Sequence, residues 1–154
     1  DHNIDFVFTD MRMFGVNNSV YRQADYNASE LLYNNMVTTA AMFRKECWET
    51  AGGYKSNIGY EDWEFWINLA ENGYFGYRIP EPLFNYRTAV SSRYIDDKSK
   101  HKINLRTIRS LHPGYSRHVR KFRRAKYYHR KIVAPEERFV NLSDTSHYLP
   151  LLHH

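Results

Sequence analysis

Residues 59–66 read Gly-Tyr-Glu-Asp-Trp-Glu-Phe-Trp, a run that sets carboxylates among large aromatic rings. On a helix, Asp62 lies three and four residues before Phe65 and Trp66 and projects toward the same side as both. A carboxylate partly desolvated beside aromatic rings can act as a general base, taking a proton from a substrate hydroxyl. A plainer reading stands next to it. Glu61 and Asp62 fall in the first helical turn, where negative charge complements the dipole and requires no chemistry.

Few other residues offer chemistry. Cys47 is the single cysteine, which excludes an internal disulfide framework and a cysteine-based zinc site and fits a reducing compartment. At helical spacing with Phe43 and Ala51 it reads as a small buried hydrophobe rather than a nucleophile. All eight histidines lie outside residues 3–100, so a histidine-based metal or triad site is not expected in that stretch. The aromatic share of 16% suits a core of flat side chains and stacking on sugars or bases equally well.

The elements that must position Asp62 are legible from pattern. Asp5–Asp10 is a β-rich run ended by Gly15 and Asn17-Asn18, and residues 17–35 are polar and weakly patterned, hence loop. Val37–Phe43 is a short apolar, partly β-branched run, expected to be a buried strand. Arg44–Ala51 has helical spacing and stops at Gly52-Gly53. Tyr60–Asn72 is the best-defined helix, with Trp63, Trp66, Ile67 and Ala70 on one stripe and Gly73 as its stop. Tyr74–Ile79 reads as a strand broken by Pro80 and Pro82, and Leu83–Arg87 as a further extended piece. Beyond Ser91, residues 96–110 are helix-compatible, His112-Pro113-Gly114 is a turn, and residues 116–131 form a basic helix. Strands alternating with helices predict an α/β layered fold. The 154 residues suffice for one domain with a sizeable core.

Six short motifs occur in order between Asn34 and Arg87: Met42-Phe43-Arg44, Gly52-Gly53-Tyr54, Glu61-Asp62-Trp63, Gly73-Tyr74, Pro80-Glu81-Pro82-Leu83-Phe84 and Tyr86-Arg87. This ordered set resembles the acceptor-side, C-terminal half of the family-two inverting glycosyltransferases, which have the GT-A nucleotide-sugar-binding fold. The strand at Asp5–Asp10 with Phe14-Gly15 resembles a further element of that family, so the likeness spans about residues 5–93. It implies a partial GT-A layered sheet over residues 1–95, and the change of composition beyond Ser91 sets off a basic, mainly helical extension over 96–154. It also implies a role for Asp62 as the catalytic base for an acceptor hydroxyl, with Glu61 supporting it or holding the acceptor. Trp63 and Trp66 can line an acceptor subsite or belong to the core. Arg87, with Ser92 and Arg93 of the following loop, can supply charge to the diphosphate.

Parts of the family pattern are absent. No Asp-x-Asp occurs in the chain, and Ala89 stands where many members carry a histidine three residues after the tyrosine of Tyr-Arg. The divalent metal, Mg or Mn, expected of a full-length enzyme therefore has no assignable ligand in this sequence. The chain reads as the acceptor-side part of a longer transferase, lacking the donor site. Its expected partners are a nucleotide sugar and a saccharide or lipid-linked acceptor, and self-association is a way to cover the open edge of a partial sheet.

The formal net charge of +5 averages two unlike regions. Residues 1–100 hold 10 Lys and Arg against 14 Asp and Glu, whereas residues 101–154 hold 12 against 3. The basic region, interleaved with Tyr115, Phe122, Tyr127 and Tyr128, can be a solvated or packed helix face, an anionic-membrane contact, or a phosphate-backbone binder. The resemblance favours the membrane over nucleic acid. The competing functional class is thus a non-enzymatic binding module whose basic tail meets an anionic membrane or nucleic acid. No apolar run approaches the roughly 18 residues of a membrane span, and Asp1-His2-Asn3 does not resemble a signal peptide. Either the location is cytoplasmic, peripheral at the inner face of the membrane if the tail binds there, or a targeting segment lies outside this sequence.

Overall fold

A computed structural model describes residues 4–55, 57–89 and 100–132, with side chains to 124. The architecture is mixed α/β. The element order is β1 (Phe6–Gly15), β2 (Ser19–Tyr21), α1 (Ala28–Leu31), β3 (Met42–Phe43), α2 (Lys45–Ala51), α3 (Glu61–Glu71), β4 (Gly76–Thr88), α4 (His101–Leu111) and α5 (Pro113–Ile132). The chain divides into two compact units, Asp1–His112 and Pro113–His154. The expected boundary at residues 95/96 lies outside the described residues, and α4 belongs to the first unit.

β1 organises the sheet. Along one side it pairs antiparallel with β3 at Phe6 and Val7, and with β2 at Met11 to Met13. Along the other it pairs parallel with β4 from Phe6↔Gly76 to Gly15↔Thr88. Alternation follows the pleat, with Phe6, Phe8 and Asp10 buried and the residues between them half-buried. At Gly76 a side chain would collide with the Phe6 ring, so a glycine lets the two strands start level.

Pro80 and Pro82 do not end the strand. β4 continues through both, and the register jumps from Thr9↔Ile79 to Met11↔Phe84. Four residues, Pro80 to Leu83, thus bulge out opposite Asp10, where missing amide donors cost no ladder bonds. At this bulge Asp10, 2% exposed, grips Arg78 through two hydrogen bonds of 2.8 and 2.9 Å. Asp10 also accepts from the Gln23 amide at 2.9 Å, and Arg78 reaches Asp25 at 3.0 Å. The hydrogen bonds from Arg78 hold the Asp10 carboxyl below its ordinary pKa. This chelate ties residues 23–25 to the sheet.

Residues 17–35 are more ordered than their composition predicts. They contain β2 and the single turn of α1, whose cap is Asn27 accepting from the amides of Ser29 and Glu30. The run Val37–Phe43 is strand only at Met42–Phe43. Met36, Val37 and Thr38 are buried all the same, so the apolar character marks the core without the extended pairing. α2 and α3 match their spacing closely, and Gly52 and Gly73 take the left-handed conformation expected of helix stops. His112-Pro113-Gly114 is not a free turn. Pro113 is the first residue of α5, a position where its missing N–H is unneeded.

The core of the first unit is aromatic. Trp66, fully buried, stacks on Phe6 at 5.2 Å, and Phe65 contacts Phe43, Trp48 and Tyr54 at 5.1 to 5.7 Å. Much of the sequence's aromatic share is thereby accounted for as packing. In the second unit, α5 has no acidic residue, and Arg117, Arg120, Lys121 and Arg124 recur on one exposed face. Among the described residues no helix is long and apolar enough to cross a membrane.

Candidate functional site

The site is built at the head of α3. The chain enters the helix through Tyr60, which adopts a left-handed conformation (φ 63°, ψ 42°) rare for a bulky residue. Gly59 before it lies against Asn104 of α4 so closely that a Cβ would clash. The turn brings Glu61, Asp62 and Glu64 into the first turn of the helix, where the exposed peptide N–H groups favour negative charge.

Asp62 is half-buried and held at both oxygens. Its Oδ2 accepts from the Thr39 hydroxyl at 2.6 Å, and Oδ1 accepts from the Trp63 amide at 2.7 Å. Burial pushes its pKa above the ordinary carboxylate value; the Thr39 and Trp63 hydrogen bonds oppose the rise, and the Glu61 charge adds to it. Both partners of Asp62 are neutral. The Tyr54 phenol is also raised, by burial first and then by the charges of Asp62 and Glu61. Asp62 is thus a carboxylate that binds a proton more readily than usual, held by neutral donors among the described residues.

The other sequence-derived candidates take different places. Glu61 is adjacent and half-buried at the first position of α3. Trp63 is 5% exposed, and its indole N–H donates to the Leu31 carbonyl at 2.6 Å. Its ring meets Tyr60 and His101 at 5.5 and 6.2 Å, so what it offers is an edge of the site rather than an open stacking face. Arg87 is exposed on β4 opposite Phe14, and no described hydrogen bond or ion pair links it to Asp62. Ser92 and Arg93 lie outside the described residues.

Three contributors escaped the sequence reading. Thr39 sits 23 residues upstream in a loop, with no motif to mark it. Tyr54 belongs to the Gly-Gly-Tyr motif, yet only folding puts its phenol within reach of the Asp62 charge. Histidine is the third. Residues 3–100 contain none, but α4 and its end bring His101 and His112 onto α3. His101 Nδ1 lies 3.2 Å from the Tyr60 hydroxyl.

His112 makes the stronger connection. Its Nε2 donates to Glu64 Oε1 at 2.8 Å and its Nδ1 to Glu71 Oε2 at 2.5 Å, so one ring spans α3 from first turn to last. Lys55 Nζ donates to the same Glu64 oxygen. Two carboxylates on two ring nitrogens make this the imidazolium form. Burial opposes that charge, but the bonds from Glu64 and Glu71 win, and the His112 pKa is raised. Glu64, fully buried, is pushed up by burial and pulled further down by His112 and Lys55, ending below its ordinary value.

The described residues contain no group of three His, Cys, Asp or Glu side chains suited to a metal ion. None of them is assigned to the divalent ion implied by the resemblance. A scan against protein-family models finds none that matches the chain, and a search of curated proteins finds no relative.

Proposed function

We propose that residues 5–93 form the acceptor-side half of an inverting glycosyltransferase of GT-A type, with Asp62 as the base. The observation that carries the reading is the Asp62 carboxylate: half-buried, held by two neutral donors, and displaced toward proton uptake. The ordered motifs that surround it supply the reaction class.

A sugar hydroxyl is a poor nucleophile at neutral pH, so a positioned carboxylate must accept its proton as the new bond forms. In the proposed step the acceptor oxygen bonds to the anomeric carbon from the face opposite the leaving group. The anomeric carbon–oxygen bond to the diphosphate breaks, and the nucleoside diphosphate departs with the electron pair. The proton passes to Asp62. Glu61, one residue away, holds acceptor hydroxyls, and Tyr54 walls the site. Donor binding is a function of the missing half, to which Arg87 with Ser92 and Arg93 can add charge at the diphosphate, and this chain alone is expected to turn over no nucleotide sugar.

The decisive experiment is Asp62→Asn in the full-length protein. Transfer is expected to fall about 10²- to 10⁴-fold, the usual contribution of a general base, with nucleotide-sugar binding intact. Unchanged transfer rejects Asp62 as the base. Turnover of a nucleotide sugar by residues 1–154 alone rejects the half-enzyme reading.

A further inference from the structure

Asp62 is aimed by a residue from a distant loop. Thr39 lies between α1 and β3, in the segment whose apolar pattern suggests a strand but which is irregular from Val37 to Ala41. Its neighbours Val37 and Thr38 are buried, anchoring the loop, while Thr39 itself is exposed. An exposed threonine has water as an alternative partner, yet its hydroxyl donates to Asp62 Oδ2 at 2.6 Å. That distance is characteristic of a hydroxyl bonded to an ionised carboxylate. Trp63 cannot do the same work, because its amide belongs to the helix backbone and follows α3 wherever it goes. Among the described residues, Thr39 is the hydrogen-bond partner that ties the carboxylate to a segment outside α3.

We propose that Thr39 is the positioning residue of the Asp62 site, locking the carboxylate rotamer and favouring its ionised form, so that the remaining lone pairs face an incoming hydroxyl. The proposal rests on the reading of Asp62 as a base for its consequence in catalysis, but its physical content stands apart from any activity. Burial alone disfavours the charge on Asp62, and a hydroxyl that can only donate to the ionised oxygen offsets part of that penalty. Without it the carboxyl holds its proton to higher pH, and a protonated carboxyl cannot serve as a base. Glu61 is the charged neighbour on the same helix and raises the cost of ionisation, whereas Tyr54, the titratable group facing from the loop after α2, is a neutral phenol where a carboxylate titrates and brings no charge to it.

The test uses the chain of 154 residues with ¹³C-labelled aspartate, following the Asp62 carboxyl resonance through a pH titration. Thr39→Val removes the hydroxyl at nearly constant shape, and Thr39→Ser restores it. The expected result is a midpoint shifted upward in Thr39→Val and returned toward the parent value in Thr39→Ser. Coincident midpoints in all three proteins overturn the proposal, as does an upward shift that serine fails to reverse. A merely structural role for Thr39 lowers the thermal midpoint while leaving the titration in place. In the full-length enzyme the acid limb of the transfer profile is expected to move with the same midpoint. If the titration moves but transfer does not depend on Asp62, Thr39 keeps its role on the carboxylate and the base assignment is what fails.

Discussion

Two carboxylates two residues apart on α3 have opposite fates. Glu64 is fully buried, and its charge is matched by Lys55 and the imidazolium of His112. Asp62 is less buried and receives only neutral donors. Burial pushes both pKa values up, yet Glu64 ends lowered and Asp62 ends raised. Burial is the leading influence on both; what separates them is that cationic partners outweigh it at Glu64 and neutral donors do not at Asp62. A cation converts a buried carboxylate into a structural anchor, whereas a neutral donor leaves it oriented and still able to accept a proton.

The largest effect is expected on the anchored side. Removing one partner from a buried ion pair costs about 3–5 kcal/mol, so His112→Ala is expected to lower the unfolding free energy by that order, measured by urea denaturation near pH 6. A loss well under 1 kcal/mol would mean that Lys55 alone satisfies Glu64. Next comes the pH dependence of the parent protein. Lowered in the fold, Glu64 contributes stability above its unfolded pKa of about 4.3 that is lost as pH falls through the folded value. Raised in the fold, His112 contributes stability below its unfolded pKa of about 6.5 that is lost as pH rises through the folded value. The cluster is at full strength between those limits, and His112→Gln should flatten the alkaline decline while leaving much of the acid one.

The smallest effect is expected at Asp62. Its folded pKa is raised, so the ionised form is less favoured in the folded chain than in the unfolded one, and that penalty grows as pH rises through the folded value. Asp62→Asn removes a charge that no cation neutralises among the described residues, while keeping an acceptor for a hydrogen bond. Thermal unfolding at pH 7 is expected to show stability unchanged or raised by up to about 1 kcal/mol, the trade between stability and a reactive site. A loss of several kcal/mol would place Asp62 with Glu64 as an anchor and end the contrast.

The legible features were those governed by neighbours in the chain. The helix containing Asp62 was visible because its apolar residues repeat at helical spacing and Gly73 closes it. The acidic character of its first turn was visible for the same reason. Pro80 and Pro82 misled, because a proline forbids only the ladder bond its own N–H would make, and a bulge opposite Asp10 removes the need for it. Residues 37–43 misled as well: burial and strand formation share a composition, and only Met42–Phe43 finds a partner in β1. The histidines misled by their position in the chain.

By itself the sequence determined helices α2 to α5 but not α1, along with the carboxylate-rich head of α3, the basic character of α5 and an α/β class, since local spacing and glycine stops act within a few residues. Tertiary structure alone decided which carboxylate would meet cations and which would meet neutral donors. Thr39 reaches Asp62 across 23 residues and His112 reaches Glu64 across 48. The charge state of a carboxylate depends on partners within hydrogen-bond distance in space, and chain separation carries no information about those.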